Sequence, residues 1–186
     1  MTDHIDKSTN SGTEYRVAKI PQEVTYKVST VTESGKQDDE NEYYTAYMDT
    51  EVAKASLFPL NANPRKPNSI GGDESKDIVV KMQATLASKP KSFVRLNNGL
   101  TCVCSDMEYD SVSGTLTINW KKGDGVLNGG HTYLAIQTAA AANARVRVEI
   151  VKLHPKYSKK ANAEARKDLI KEMAMARNAN RQLKDY

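Results

Sequence analysis

The segment Gly125-Val126-Leu127-Asn128-Gly129-Gly130-His131-Thr132-Tyr133-Leu134-Ala135-Ile136-Gln137 constrains the fold more than any other in the chain. Two adjacent glycines stand between a run with strand character and an alanine-rich run with helix character. A strand-to-helix turn of this kind aims backbone N–H groups and the positive end of the helix dipole at one spot, which suits an anion such as phosphate. Gly129 and Gly130 permit backbone angles that other residues avoid, so a ligand can approach the main chain closely. The same pair also serves a plain tight turn, and the spacing does not separate the two uses. Thr132 is expected to cap the helix or to offer its hydroxyl to a phosphate. His131 is expected to hydrogen-bond an anion or to act as an acid or base near neutral pH.

Hydrophobic patterning places this turn within a mixed α+β chain. Tyr15–Ile20, Val24–Val31 and Tyr43–Met48 alternate as strands, with the polar run Glu33–Glu42 as a hairpin tip. Leu57–Gly72, rich in Pro, Gly and Asn, reads as a connecting loop. Ile78, Val79, Met82 and Leu86 repeat at helical spacing over Lys76–Ala87, and Pro90 closes that helix. Phe93–Leu96 and Leu100–Cys104 read as strands joined across Asn97-Asn98-Gly99, a strong turn signal. Thr115–Trp120 is a further strand. Tyr133–Ala142 is expected to be helical and Arg145–Val151 to form a strand with a buried Val/Ile face. A last helix carries Leu169, Ile170, Met173 and Ala176 on its apolar stripe, with Ser158 as its expected N-cap. The expected division is a disordered lead over 1–12, an α+β core over 13–156 and a basic C-terminal helix over 157–186. That helix packs on the core or extends from it.

Composition narrows the class. A chain of 186 residues with 39% apolar residues supports one domain with a real core. Met1–Thr13 is polar and lacks the apolar run of a signal peptide, and no stretch is long enough to span a bilayer. The expectation is a soluble, cytoplasmic protein with no membrane partner. Cys102 and Cys104, two apart on a strand, point to one face, where a direct bridge would strain disulfide geometry. No histidine has zinc-type spacing to them, so buried reduced thiols are expected and no metal is predicted. Charge is uneven. Residues 145–186 hold 12 Lys/Arg against 5 Asp/Glu, or +7, whereas residues 1–144 hold 15 against 18, or −3. This asymmetry fits a polyanionic partner, or a solvated helix face.

Other chemistry has little support. No Gly-x-Ser-x-Gly elbow and no Walker lysine occur. Asp106, Glu108 and Asp124 cluster loosely without a nuclease-like pattern. Asn97, Asn98 and Gly99 serve a turn or contact a ligand. Arg177, Asn178 and Arg181 on the last helix are candidates for a nucleic-acid backbone, although asparagines near a helix end also mark fraying.

Asn97-Asn98-Gly99-Leu100-Thr101, followed after a strand-rich gap by Val126-Leu127-Asn128-Gly129-Gly130-His131-Thr132, resembles the abortive-infection phage-resistance (AIPR) family. Those proteins carry an N-N-G-I-T-like segment and then a V-N-G-G-Q-T-like one. The ending Ala176-Arg177-Asn178-Ala179-Asn180-Arg181-Gln182-Leu183-Lys184-Asp185 is similar to that family's R-N-x-x-x-x-V-K-D stretch. The three matches keep the family's order and cover roughly residues 57–186. More distantly, Gly129–Ala135 resembles the D-G-x-H-R turn of ParB, sulfiredoxin and DGQHR-type proteins, and Asn61-Ala62-Asn63-Pro64-Arg65 their N-P-x-R segment. That resemblance implies a ParB/sulfiredoxin-like strand–Gly-Gly–helix core. It also implies a nucleotide phosphate held by Gly129, Gly130, His131 and Thr132, with Arg65 in support. Asn128 stands where those relatives have Asp, and Thr132 where they have Arg. The lost Arg removes a bidentate phosphate clamp. Members of the family are usually longer, so the resemblance implies a natural short form, a fragment or a remnant.

The leading expectation is a phage-defence-related domain that binds a nucleotide or a nucleic-acid phosphate at Gly129–Thr132. It would protect through a growth-arresting response. Two alternatives stand beside it. One is an NTPase or nuclease using His131. The other is a phage-encoded short homologue that acts as a protein-interaction or counter-defence factor, with a protein partner in a defence system.

Overall fold

The computed structural model describes residues 22–36, 41–63 and 73–179. The expected lead over 1–12, the expected strand at Tyr15–Ile20 and candidate residues Arg65 and Arg181 lie outside that range. In chain order come β1 (Gln22–Lys27), β2 (Thr30–Lys36), β3 (Glu42–Asp49), α1 (Thr50–Ala55), α2 (Asp73–Ser88) and the single-turn α3 (Phe93–Leu96). They are followed by β4 (Leu100–Cys104), β5 (Met107–Asp110), β6 (Thr115–Trp120), β7 (Gly125–Asn128), α4 (Gly130–Ala139), β8 (Arg145–Lys152) and α5 (Ala163–Ala179). The fold is mixed α+β, as the patterning predicts.

The strands form two sheets, β1-β6-β5 and β2-β3-β8-β4-β7. In the larger one β4 runs parallel to β8, while β2–β3, β3–β8 and β4–β7 are antiparallel. Period-two alternation sorts the residues of β8 between its faces. Val146, Val148 and Ile150 are almost fully buried with Leu100, Cys102 and Cys104 of β4 in the main core. Arg147, Glu149 and Val151 fall on the other face. The main core also takes Val79 and Leu86 of α2, Tyr133 and Ile136 of α4, and Leu116, Ile118 and Trp120 of the smaller sheet. Full burial of a side chain such as Ile136 contributes roughly 1.5–3 kcal/mol. On the opposite face Leu169, Ile170 and Met173 of α5 cover Val103, Val151 and Leu153.

Four of the large aromatics pack together. Tyr26 stacks on Phe58 at 4.8 Å between ring centroids, and Phe58 meets Trp120 and Tyr133 edge-on at 6.0 and 5.8 Å. Their polar atoms are satisfied internally. Trp120 Nε1 donates to the Tyr26 hydroxyl at 2.8 Å, and the Phe58 N–H donates to the Tyr133 hydroxyl at 3.0 Å. A buried aromatic is stable in this way only when its polar end finds a partner. The cluster ties the loop after α1 to α4, the helix that follows the Gly-Gly turn.

Several local expectations give way to tertiary demands. Val24–Val31 is not one strand: the backbone changes sheets at Val28, whose N–H bonds Gly114 O, while the N–H of Ser29 bonds Tyr47 O. Phe93–Leu96 is helical, not a strand. β4 already has β8 and β7 on its two edges, so no edge remains for a hairpin partner. The chain instead leaves Pro90 through a 3₁₀ turn, Pro90–Ser92, and continues as helix. The helix expected over Tyr133–Ala142 runs from Gly130 to Ala139, shifted toward the glycines. Ser158 does not cap the last helix. It ends a 3₁₀ turn, Pro155–Ser158, in which His154 accepts from the Lys156 N–H at 3.2 Å, and α5 starts at Ala163. The loop placed over Glu33–Glu42 gives up its first residues to β2, which runs to Lys36. α1 and β5 had no periodic signal in segments so short.

Candidate functional site

The Gly-Gly turn joins β7 to α4, and its two glycines do different jobs. Gly129 caps the helix in the left-handed region at φ 95°, whereas Gly130 is the first helical residue. A glycine N-cap has no side chain to bond the first-turn N–H groups, and none does so here. The Gly129 N–H donates to Asn128 Oδ1 at 2.8 Å, and the positive end of the helix dipole faces the turn.

The asparagine–glycine segment before β4 lies directly against this turn. Gly99 has φ 78°, and a Cβ there would overlap the Arg147 carbonyl. A Cβ on Gly129 would overlap the Gly99 carbonyl and stand 3.1 Å from Leu100 Cα. Asn97 Oδ1 accepts from the Gly99 N–H at 2.7 Å and from the Thr132 hydroxyl at 3.1 Å. One side-chain oxygen thus shapes its own turn and fastens the start of α4 to it. Thr132 is neither an N-cap nor exposed; its hydroxyl is committed to Asn97.

Together these segments frame a recess of about 180 Å³ at the end of the larger sheet. Asn97, Asn98 and Gly99 form one wall, and Asn128, Gly129 and Thr132 a second. Arg177 of α5 reaches it from the other face of the sheet, and Met82, Leu96 and Thr101 complete it. Arg177 Nη1 donates to Glu149 Oε2 at 2.5 Å and to Thr101 Oγ1 at 3.3 Å. Glu149 Oε1 also pairs with Arg147 at 3.3 Å. Two guanidinium groups therefore share one carboxylate beside the recess, which leaves positive charge in excess there.

Of the residues singled out in the sequence, Asn97, Asn98, Asn128, Gly129, Thr132 and Arg177 are brought together. His131 and Gly130 are not among the lining residues, and His131 is buried in the first turn of α4. Asn178 lies in α5, but its side chain is outside the described residues. Glu149, Met82 and Leu96 escaped the sequence reading. The alternation Arg145-Val146-Arg147-Val148-Glu149 does put Arg147 and Glu149 on one face, yet nothing local shows that Arg177 meets them.

Asp124, one of the loosely clustered carboxylates, is a structural anchor. It is fully buried and accepts from the Ser105 N–H at 3.1 Å, the Ser105 hydroxyl at 3.0 Å and the Lys121 N–H at 2.9 Å. It also pairs with Arg166 of α5. Arg166 and Arg177 lie three helical turns apart, so they pin the same face of α5 at both ends of its apolar stripe. Part of the basic charge of the last helix is therefore internal. Cys102 and Cys104 are both free and buried, and burial pushes both thiols well above their ordinary pKa. Among the described residues no group of three or more His, Cys, Asp or Glu is placed to hold a metal ion, and no helix is long and apolar enough to cross a membrane.

Fold and site together define an α+β domain whose recess is framed by two asparagine–glycine turns and an arginine from a terminal helix. The chain matches the family model described as AIPR protein over residues 60–186, and it belongs to the AIPR family. It is therefore a phage-defence (abortive-infection)-related domain. The matched span contains every segment that frames the recess, whereas β1, β2, β3 and α1 precede it. No curated protein and no solved structure matches the chain.

Proposed function

We propose that this domain binds a phosphate group, carried by a nucleotide or a nucleic acid, in the recess between Asn97–Gly99, Asn128–Thr132 and Arg177. The observation that carries this reading is their convergence on one recess from three distant parts of the chain, beside the start of α4. Helix N-termini favour anions, and an arginine supplies a planar set of donors for phosphate oxygens. Thr132 replaces the arginine of the D-G-x-H-R turn, and Arg177 takes over the cationic role from another element. The recess is smaller than the roughly 300 Å³ at which ligand pockets begin, so it suits the phosphate itself.

The geometry favours binding over catalysis. His131, the acid or base of an NTPase or nuclease reading, is buried and outside the recess lining. Titration calorimetry at low ionic strength with inorganic phosphate, nucleotides and a short single-stranded oligonucleotide tests the proposal. Saturable binding is expected for at least one probe, with a loss of roughly tenfold or more in Arg177→Ala, measured well below that variant's own Tm. Absence of saturable binding, or equal binding by Arg177→Ala, overturns it.

A further inference from the structure

Beside the recess, and sharing Met82, Leu96 and Asn97 with it, a second depression of about 200 Å³ runs between α2 and α3. Its floor is apolar, built by Ile78, Met82, Phe93 and Leu96. Two of these are left in water: Leu96 is 62% exposed and Ile78 39% exposed. Lys81 and Thr85 stand on its rim. Neither depression alone reaches the roughly 300 Å³ typical of a ligand pocket, and the two adjoin through their three shared residues.

We propose that the two depressions are halves of a single site for a nucleoside 5′-phosphate. The phosphate lies by Arg177 and the first turn of α4, and the base lies flat against Met82, Leu96 and Ile78. This rests on the phosphate reading above and adds the class of ligand. Three features select a base over an alkyl chain. The apolar half is short and ends at a polar rim, where Lys81 and Thr85 stand within reach of a base edge. Met82 presents a thioether, which makes favourable contacts with aromatic rings. The apolar and cationic halves also adjoin through shared residues, as an anionic head and a flat body joined by one sugar require.

Calorimetry on the full chain with AMP, GMP, CMP and UMP, against ribose 5-phosphate and a single-stranded oligonucleotide, tests the assignment. At least one monophosphate is expected to bind roughly tenfold or more tightly than ribose 5-phosphate, the increment of burying one face of a base against apolar side chains. Ile78→Ser, at a partly exposed position outside the phosphate recess, is expected to remove that advantage while ribose 5-phosphate affinity stays the same, with binding measured well below the variant's own Tm. Equal affinity for nucleotides and ribose 5-phosphate overturns the base half and leaves the phosphate reading standing. So does binding of the oligonucleotide without binding of any monophosphate. Failure of every probe to bind overturns both.

Discussion

Gly129 sits against the carbonyl of Gly99 so closely that no Cβ fits between them. Both residues also hold positive φ, at 95° and 78°. Two short segments about thirty residues apart therefore need glycine for a shared reason: their backbones pack on each other, and Asn97 locks the pair through Thr132.

The two glycines of the turn should respond oppositely to alanine. Gly129→Ala combines left-handed strain with backbone overlap and is expected to cost about 3 kcal/mol or more. Gly130→Ala, at the first helical position, is expected to be neutral or to stabilise by up to about 1 kcal/mol. Urea denaturation of the two variants measures this. Equal costs would refute the division of labour between them.

Arg166→Ala should leave Asp124 buried without its cation, at a cost of about 3 kcal/mol. The Ser105 and Lys121 donors that remain keep the loss at the lower end of the range for broken buried pairs. In a double-mutant cycle with Asp124→Asn, the double variant is expected to be more stable than the sum of the two losses implies. Strict additivity would show that the pair does not anchor α5.

Glu149 competes with any anion for Arg177. On the phosphate reading, Glu149→Gln removes a negative charge beside the recess, and phosphate affinity should rise by roughly a few-fold, most clearly at low salt. Its effect on stability should stay within about 1 kcal/mol, because the Arg147–Glu149–Arg177 cluster is partly solvated. Calorimetry at two ionic strengths reads both effects. Weaker binding in Glu149→Gln would show that Glu149 instead positions Arg177 for the ligand.

The buried thiols predict alkaline sensitivity. Burial raises the folded pKa of Cys102 and Cys104, whereas an exposed thiol in the unfolded chain ionises near 9.0. The unfolded state thus releases protons first as pH rises, so the thiol contribution is intact below that value and declines above it. Unfolding free energy should fall from about pH 9 upward, and more gently in Cys102→Ala. Both thiols should also resist a disulfide-exchange reagent in the native state and react once urea unfolds the chain. Rapid native labelling would contradict their burial.

The sequence pattern by itself determined the strand–Gly-Gly–helix unit, the buried alternation of β8, the buried cysteine pair and the Leu169, Ile170 and Met173 stripe of α5, on which Ala174 is buried and the expected Ala176 is exposed. These are written in nearest-neighbour terms: backbone freedom at glycine, and periods of two or 3.6 residues that decide which side chains leave water together. It also marked Asn97, Asn98, Asn128, Gly129, Thr132 and Arg177, six residues of one recess, as three separate motifs. Only the tertiary structure decided that the motifs meet and what each residue does there. Phe93–Leu96 became helix because both edges of β4 were taken. Thr132 turned inward because Asn97 lay within reach. Arg177 reached the recess because Arg166 and Asp124 fix the other end of α5. Each outcome depends on contacts between residues tens of positions apart, and local propensity carries no information about them.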